Sequence, residues 1–326
     1  MKVRNIKQRV VITGMGALTA LGLSVEETWS GLVAGRSGIA KIAHFDADFM
    51  PIQIAGEIKG FDPTDYIPRK EARRMSRASQ LALASGTQAM ADAGLGDQVP
   101  DPERSGIIMG TGIGGFDEGL NGWDTFQEKG LRRVNPFKAM AMLCNLPAHY
   151  VSTRFQCQAY NSTVVTACAA GTQAIGEAAE VIRRGDADLM LAGGVEGVVH
   201  PVVVGAFTVM RVLASDNDHP EQACKPFDAR RDGFVSAEGT EIMVLERLDK
   251  ALDRGARIYA EVQGFSANSD AFHAAIPDPE ASGAIRVMTG ALRNAGASPT
   301  DIHYINAHGP GTIVGDPGET KAIKAV

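Results

Sequence analysis

Two residues of this chain sit where covalent chemistry is possible: Cys168 and His308. Cys168 lies in the stretch NSTVVTACAAGTQAIGEAAEVIRRGDADLMLAGGVE, residues 161–196. Ser162 to Thr166 is rich in β-branched residues and predicts a buried strand. From Ala169 onward small and apolar residues recur at helical spacing: Ala170, Ala174, Ala178, Val181 and Ile182. Arg183-Arg184-Gly185 marks the helix end, with cations at the negative end of the dipole and a glycine able to take the left-handed cap. The thiol is therefore expected on a strand-to-helix turn. Free backbone N–H groups and the helix dipole there favour a thiolate and can face a developing oxyanion. Ala167, Ala169, Ala170 and Gly171 leave room for a substrate. The competing reading is a packed core cysteine, because free cysteines are among the most buried residues. His308, in INAHGPGT, is expected at a strand end, where it can give or take a proton. A turn histidine bonded to local backbone is the alternative there.

The elements that must hold these two residues follow from local patterns. Arg9 to Thr13 reads as the first strand, with Gly14 and Gly16 turning the chain and Ser24 capping a helix from Val25 to about Ala34. Lys70 to Ala93 reads as one long helix. Lys70, Arg73, Arg74 and Arg77 then share a face, either merely solvated or a docking patch for an acidic partner. Gly106 to Met109 predicts a strand leading into GTGIGG at 110–115. That loop formally satisfies the dinucleotide-binding pattern, but FDEGLNGWDTF after it lacks helical periodicity, which weakens a nicotinamide reading. Gly115 to Lys138 is expected to be irregular, a lid or subunit contact. Ala139 to Val151 is expected to be helical. Further strands are expected at Asp188–Leu191, within Phe234–Glu246, at Ile258–Gln263 and at His303–Asn306. Helices are expected at Leu248–Arg254 and Ala281–Ala295. Asp270, His273 and Asp316 are polar loop residues with no reading of their own.

The composition suits a tightly packed α/β enzyme. Of 326 residues, 37 are glycine, and aromatics are only 6%. The net charge of −6 argues against a general nucleic-acid partner. No apolar run reaches the ~20 residues of a membrane span. Lys2, Arg4, Lys7 and Arg9 before an apolar run resemble a signal peptide, but Thr13, Gly14 and Gly16 interrupt that run. Cys144, Cys157, Cys168 and Cys224 lack paired spacing, so neither zinc nor a disulfide framework is expected, and a cytoplasmic location fits. The chain also echoes itself. A helix, AMADAGL (89–95) and SGIIMGTGIGG recur as a helix, ALRNAGA (291–297) and DIHYINAHGPGT. Two similar halves are expected, residues 1–256 and 257–326. The counterpart of the Cys168 turn would fall beyond Val326, so the second half is expected to be incomplete.

These stretches together resemble the elongating β-ketoacyl-[acyl-carrier-protein] synthases, the condensing enzymes of fatty acid synthesis. The resemblance runs in order from VVITGMGALTALG through RKEARRM, VVTACAAGTQAIGEA, GDADLMLAGGVE and KPFDARRDGFVSAEG to YINAHGPGTIVGDPGETKAIK. It implies an α/β thiolase-like fold, two repeated halves with mixed five-stranded sheets in an α-β-α-β-α layering. It implies that Cys168 is the acyl-accepting nucleophile and His308 the first of two active-site histidines. Ile113 and Phe207 would line the acyl pocket and its entrance, and Asp270 and His273 would lie on a loop near it. Thr312 would contact pantetheine, and Lys70, Arg73 and Arg211 would contact the acyl carrier protein. It further implies a homodimer and no metal or other cofactor beyond the 4′-phosphopantetheine that the substrates carry. In three places the sequence departs from the family pattern, the first a small-for-small change in which Ala169 and Ala170 follow the cysteine where the family has Thr-Ser or Ser-Ser. Pro310 stands where the family has a threonine, and family members continue past Val326 with a lysine, a second histidine and an FGFGG loop. A polyketide ketosynthase of the same chemistry and a non-catalytic chain-length partner are the neighbouring readings; Cys168 argues against the second.

Overall fold

Gly14 and Gly16 do not turn the chain. They lie inside a ten-residue strand, β1 (Val10–Thr19), and the sharp turn expected there is absent. The reason is steric. A Cβ at Gly14 would strike the Ala89 carbonyl, and one at Gly16 the Ser85 carbonyl. Glycine is what lets a helix lie directly on this strand. The computed structural model describes residues 5–273 and 276–326, so Lys2 and Arg4 of the basic start lie outside the described residues.

After β1 come α1 (Val25–Val33), capped by Ser24 as expected, and a small hairpin, β2 (Ile39–Lys41) with β3 (Ile54–Gly56). The long basic helix is two helices, α2 (Arg69–Ala72) and α3 (Arg77–Asp92). The break falls at Ser76, whose hydroxyl accepts the Ser79 N–H at 3.2 Å and starts α3 afresh. Next come β4 (Ser105–Gly110) and α4 (Phe116–Lys129). The second corrects the irregular reading of Gly115–Lys138. Gly119, Asn121 and Gly122 blur the periodicity, and its aromatic residues Trp123 and Phe126 face out rather than into a core. The single helix expected at Ala139–Val151 is also two, α5 (Pro136–Ala141) and α6 (Leu146–Phe155). Then follow β5 (Asn161–Val164), α7 (Ala170–Arg183), β6 (Leu189–Glu196), α8 (Pro201–Val209), β7 (Gly239–Arg247), α9 (Leu248–Asp253), β8 (Ala260–Glu261), α10 (Ser282–Ala295) and α11 (Gly315–Ala325).

One mixed sheet forms the centre, of six strands rather than the five expected, in the order β5-β4-β6-β7-β1-β8. Among the described residues β8 is the only strand after residue 256, so no second five-stranded sheet is present there. β5, β4 and β6 are parallel, and β7, β1 and β8 are added antiparallel. On one face α3 and α6 bury Leu81, Met90, Val151 and Phe155 against Ile107, Met109 and Ile242. On the other, α7 buries Ala174, Ala178, Val181 and Ile182 against Ile108, Met190 and Leu245. The sheet thus lies between two helical layers. Among the described residues no helix is long and apolar enough to cross a membrane.

The internal echo has a structural counterpart. Helix α3 is followed by Gly94 at φ +69°, a 3₁₀ turn at Pro102–Arg104 and then β4. Helix α10 is followed by Gly296 at φ +71° and a 3₁₀ turn at Pro299–Asp301. The strand expected at His303–Asn306 does not form. Among the described residues no strand lies beside that segment to pair with it, and Tyr304 is 79% exposed.

Replacing Gly16 with alanine should push α3 off β1 and cost about 3 kcal/mol of stability by overpacking. Urea denaturation reads this directly; an unchanged midpoint would mean the helix yields without loss.

Candidate active site

The Cys168 turn rests on bare backbone. A Cβ at Gly110, the last residue of β4, would collide with the Ala170 carbonyl. A Cβ at Gly194 on β6 would lie 3.1 Å from the Gly171 Cα. The first turn of α7 therefore sits on the C-terminal ends of β4 and β6, the end at which parallel α/β sheets gather ligands. Ala167 enters the turn at φ +50°, a left-handed conformation that costs a non-glycine residue energy. Cys168 follows on a 3₁₀ turn and is exposed. No side chain caps α7; the Ala169 and Ala170 N–H groups donate to the Thr166 and Ala167 carbonyls of the turn that carries Cys168. The packed-cysteine reading belongs instead to Cys157, which is buried and whose thiol is pushed up to about 12 by that burial.

Beside Cys168 opens a cleft of about 350 Å³. Its walls include Thr19 of β1, Thr172 and Ile175 of α7, Gly194 of β6, and Thr240 and Glu241 of β7. Sequence reasoning missed Glu241, because nothing in SAEGTEIMVLE distinguishes it from a solvated strand residue.

The GTGIGG loop lies at the end of β4 and does open into a helix, α4. It is nevertheless no phosphate cradle. The Gly112 and Ile113 N–H groups both donate to one Glu196 carboxylate oxygen, at 2.9 and 3.2 Å. An anion would have to displace a carboxylate that is already there. The same contact fixes Ile113, half-buried, close to the Cys168 turn: Gly112 lies against Ala167. Phe207 sits on α8 in a separate apolar cluster with Met50, Ile52 and Val204. Its ring meets Phe234 edge to face at 5.3 Å.

His308 lies in a loop clamped by two carboxylates of α11. Glu319 accepts the His308 N–H at 2.7 Å and the Gly309 N–H at 2.8 Å, one on each oxygen. Asp316, buried, accepts from Phe227 at 2.7 Å, Gly311 at 3.1 Å and Thr312 at 3.2 Å. Arg231 donates to the carbonyls of Thr312 and Ile313 at 2.9 and 3.0 Å. The Thr312 oxygen accepts the Gly315 N–H at 3.0 Å, which leaves its own O–H free to donate. Sequence reasoning left Asp316 without a reading and missed Glu319. Their i, i+3 spacing just after a glycine-rich loop was the available signal. His308 is exposed and is not on the wall of the Cys168 cleft.

The remaining candidates are scattered. Asp270 and His273 are exposed on the loop before α10. Asp270 accepts the Asp278 N–H at 3.2 Å and packs against Gly283, while His273 accepts the Ile276 N–H at 3.2 Å. Lys70, Arg73 and Arg211 are exposed, and among the described residues none of their side chains has an ion pair or hydrogen bond. Arg77 does not share their face. It turns inward to pair with buried Glu238 and donates to the Ile58 carbonyl at 3.1 Å. Arg74 lies over the Phe137 ring at 4.3 Å.

Family models place these features in context. Residues 7–251 match the model for the β-ketoacyl synthase N-terminal domain, and residues 259–326 that for the β-ketoacyl synthase C-terminal domain. The chain belongs to the β-ketoacyl synthase family. It is 43% identical over 317 residues to a 3-oxoacyl-[acyl-carrier-protein] synthase 2 of Staphylococcus aureus, covering 97% of this chain and 76% of that relative. Its fold is similar to the crystal structure of a β-ketoacyl synthase from Burkholderia phymatum, with a TM-score of 0.87 and 37% identity, covering 97% of this chain and 78% of that one. It is also similar to a type II polyketide synthase structure of an acyl-carrier protein in complex with its ketosynthase bound to the hexaketide. There the TM-score is 0.86 and the identity 31%, covering 98% of this chain and 77% of the other. The α/β thiolase-like fold expected from the sequence is therefore the fold of this family member.

Changing Glu319 to glutamine leaves one acceptor oxygen for two N–H groups. Hydrogen exchange at His308 and Gly309 should quicken about tenfold or more, with Phe227, Gly311 and Thr312 little changed. The Asp316→Asn variant should give the reverse pattern. Uniform protection in both variants would mean that the loop holds itself without the carboxylates.

Proposed function

We propose that this chain is a 3-oxoacyl-[acyl-carrier-protein] synthase that elongates fatty acyl chains by two carbons. The observation that carries the reading is an exposed thiol, Cys168, at the uncapped start of α7 in a member of this family. The Cys168 sulfur attacks the thioester carbonyl of an acyl carrier protein. The carrier's pantetheine thiol leaves, and the acyl group stays on Cys168. The Cys168 backbone N–H faces the tetrahedral oxyanion, a contribution on the order of a few kcal/mol for such a donor. Malonyl-carrier protein then loses CO₂ to give an enolate, which His308 stabilises as a hydrogen-bond donor. The enolate carbon attacks the Cys168 thioester. The new C–C bond forms, the Cys168 sulfur leaves, and a 3-oxoacyl product departs on the carrier. The reaction calls for no metal or nicotinamide, because each substrate brings its own 4′-phosphopantetheine arm. Ile113 and Phe207 serve the acyl chain in this reading, Asp270 and His273 a loop near it, and Thr312 the pantetheine. The identity is higher to a 3-oxoacyl-[acyl-carrier-protein] synthase 2 than to a type II polyketide ketosynthase, which favours the fatty acyl substrate.

Carrier protein docks on Lys70, Arg73 and Arg211, cations that no carboxylate among the described residues pairs with. The protein works as a cytoplasmic homodimer. Strand β5 is hydrogen-bonded on one side only, at the edge of the sheet, and Tyr160 and Val165 beside it are exposed. Helices α4 and α5 expose Trp123, Phe126, Phe137 and Met140. An open edge and an apolar patch of this kind call for a partner surface, and a second copy supplies it.

The test is mass spectrometry of the protein after incubation with acyl-carrier protein. The wild type should gain one acyl group on Cys168, and Cys168→Ala should gain none; acylation of the variant would remove the nucleophile from this reading. Reversing two cations, with Lys70→Glu and Arg73→Glu together, should weaken carrier binding roughly tenfold and flatten its salt dependence. Unchanged titrations would place the docking surface elsewhere.

A further inference from the structure

The cleft beside Cys168 holds a carboxyl group that the steps above do not use. Side chains of β7 alternate between the two faces of the sheet. Thr240 points toward α3, where its hydroxyl meets Ser85 Oγ at 2.9 Å. Glu241 therefore points the other way, toward α7, and lines the cleft with Cys168, Thr172 and Ile175. Its partners across the sheet are Ala17 on β1 and Gly194 on β6, neither of which has a polar side chain. Among the described residues no hydrogen bond or ion pair engages the Glu241 carboxyl. The charged and titratable groups around it are few. The cleft wall carries Thr19 from β1, Gly194 from β6, and Gly171, Thr172 and Ile175 from α7. Among the described residues Cys168 is the only other titratable one on it.

This placement divides the surroundings of the thiol. In the order β5-β4-β6-β7-β1, the loop carrying Ile113 lies at the end of β4, and Glu241 lies across β6 on β7. An acyl chain directed toward Ile113 leaves the β7 side to the second substrate. The two substrates differ in charge next to the thioester: a fatty acyl group is neutral, whereas a malonyl group brings a carboxylate. An ionised, half-buried side chain acts on a second charge held beside it.

We propose that Glu241 sorts the thioesters that reach Cys168 by charge, disfavouring a carboxylate-bearing group when ionised and admitting it when protonated. The proposal rests on the reading of Cys168 as the acyl acceptor. Burial pushes the Glu241 carboxyl up to about 7, so its charge changes across the neutral range. Protonated, it offers an O–H to an incoming carboxylate; ionised, it opposes one.

The test needs no turnover. Iodoacetamide and iodoacetate are near-isosteric, react with the same thiolate and differ in one negative charge. Their rates at Cys168, read by peptide mass spectrometry, give a ratio that is independent of how much thiolate is present. For the wild type this ratio of neutral to anionic reagent should rise about tenfold between about pH 6 and pH 8. In Glu241→Gln, and in Glu241→Ala as a second variant, it should stay low and flat. Identical ratios in the wild type and both variants overturn the proposal. A second arm compares malonyl condensation with acyl transfer to Cys168 over the same range. In the wild type condensation should fall relative to transfer as pH rises, and Glu241→Gln should abolish that difference. A changed alkylation ratio with an unchanged condensation profile overturns the sorting of substrates. Loss of acylation in all forms, with the alkylation difference intact, removes the acyl-acceptor reading and leaves the charge effect at Cys168 standing.

Discussion

Direct contact between helix and strand backbones, with no side chain between them, is the constraint on which this structure depends. It occurs twice. Gly14 and Gly16 let α3 settle on β1, which fixes one helical layer against the sheet. Gly110, Gly171 and Gly194 let the first turn of α7 settle on the ends of β4 and β6, which fixes Cys168. Interiors packed at crystal density have no slack for a methyl group at such points. The position of the thiol is thus a property of the sheet ends rather than of flexible loops, and reactive groups held this way keep their geometry.

A second theme is the use of carboxylates to hold irregular backbone. Glu196 takes the N–H groups of Gly112 and Ile113, Glu319 those of His308 and Gly309, and Asp316 those of three residues. Glu57 does the same for Ala43 and His44, at 2.9 Å to each. Buried N–H groups outside helices and sheets still require partners, and a charged acceptor is a strong one. The site loops are therefore ordered without regular structure, and their shape is written in acidic residues that a pattern of apolar periodicity does not register.

That contrast explains what was legible in the sequence. The strand, cysteine and helix around Cys168 were readable because β-branched residues give way to alanines at helical spacing, with a glycine at the far end; the strand is not the buried one expected, since β5 lies at the sheet edge and only its Val164 is buried. Ser24 announced α1, and the repeated helix and Ala-Gly break announced the echo between halves. Residues whose meaning depends on a distant partner were misread. Gly14 and Gly16 looked like turn residues, since nothing local reveals that α3 lies on them. Arg77 looked like one more surface cation, although Glu238 draws it inward. The segment at 303–306 has strand composition, but a strand exists only beside a neighbour. Glu241 carried no local sign at all, because its interest comes from the cleft that β6, β7 and α7 enclose together.

The clamp on the His308 loop has a consequence in time. Its receiving surface, Phe227 and Arg231, belongs to the segment before β7, whereas the loop itself comes some eighty residues later in the chain. Because chains emerge from the ribosome N-terminus first and fold as they emerge, the sheet, α7 and the Cys168 turn can be complete while His308 is still being made. The molecule acquires its thiol before its histidine. During that interval the exposed thiol stands on a finished sheet, while Phe227 and Arg231 wait for the loop and the α11 carboxylates that will close over them.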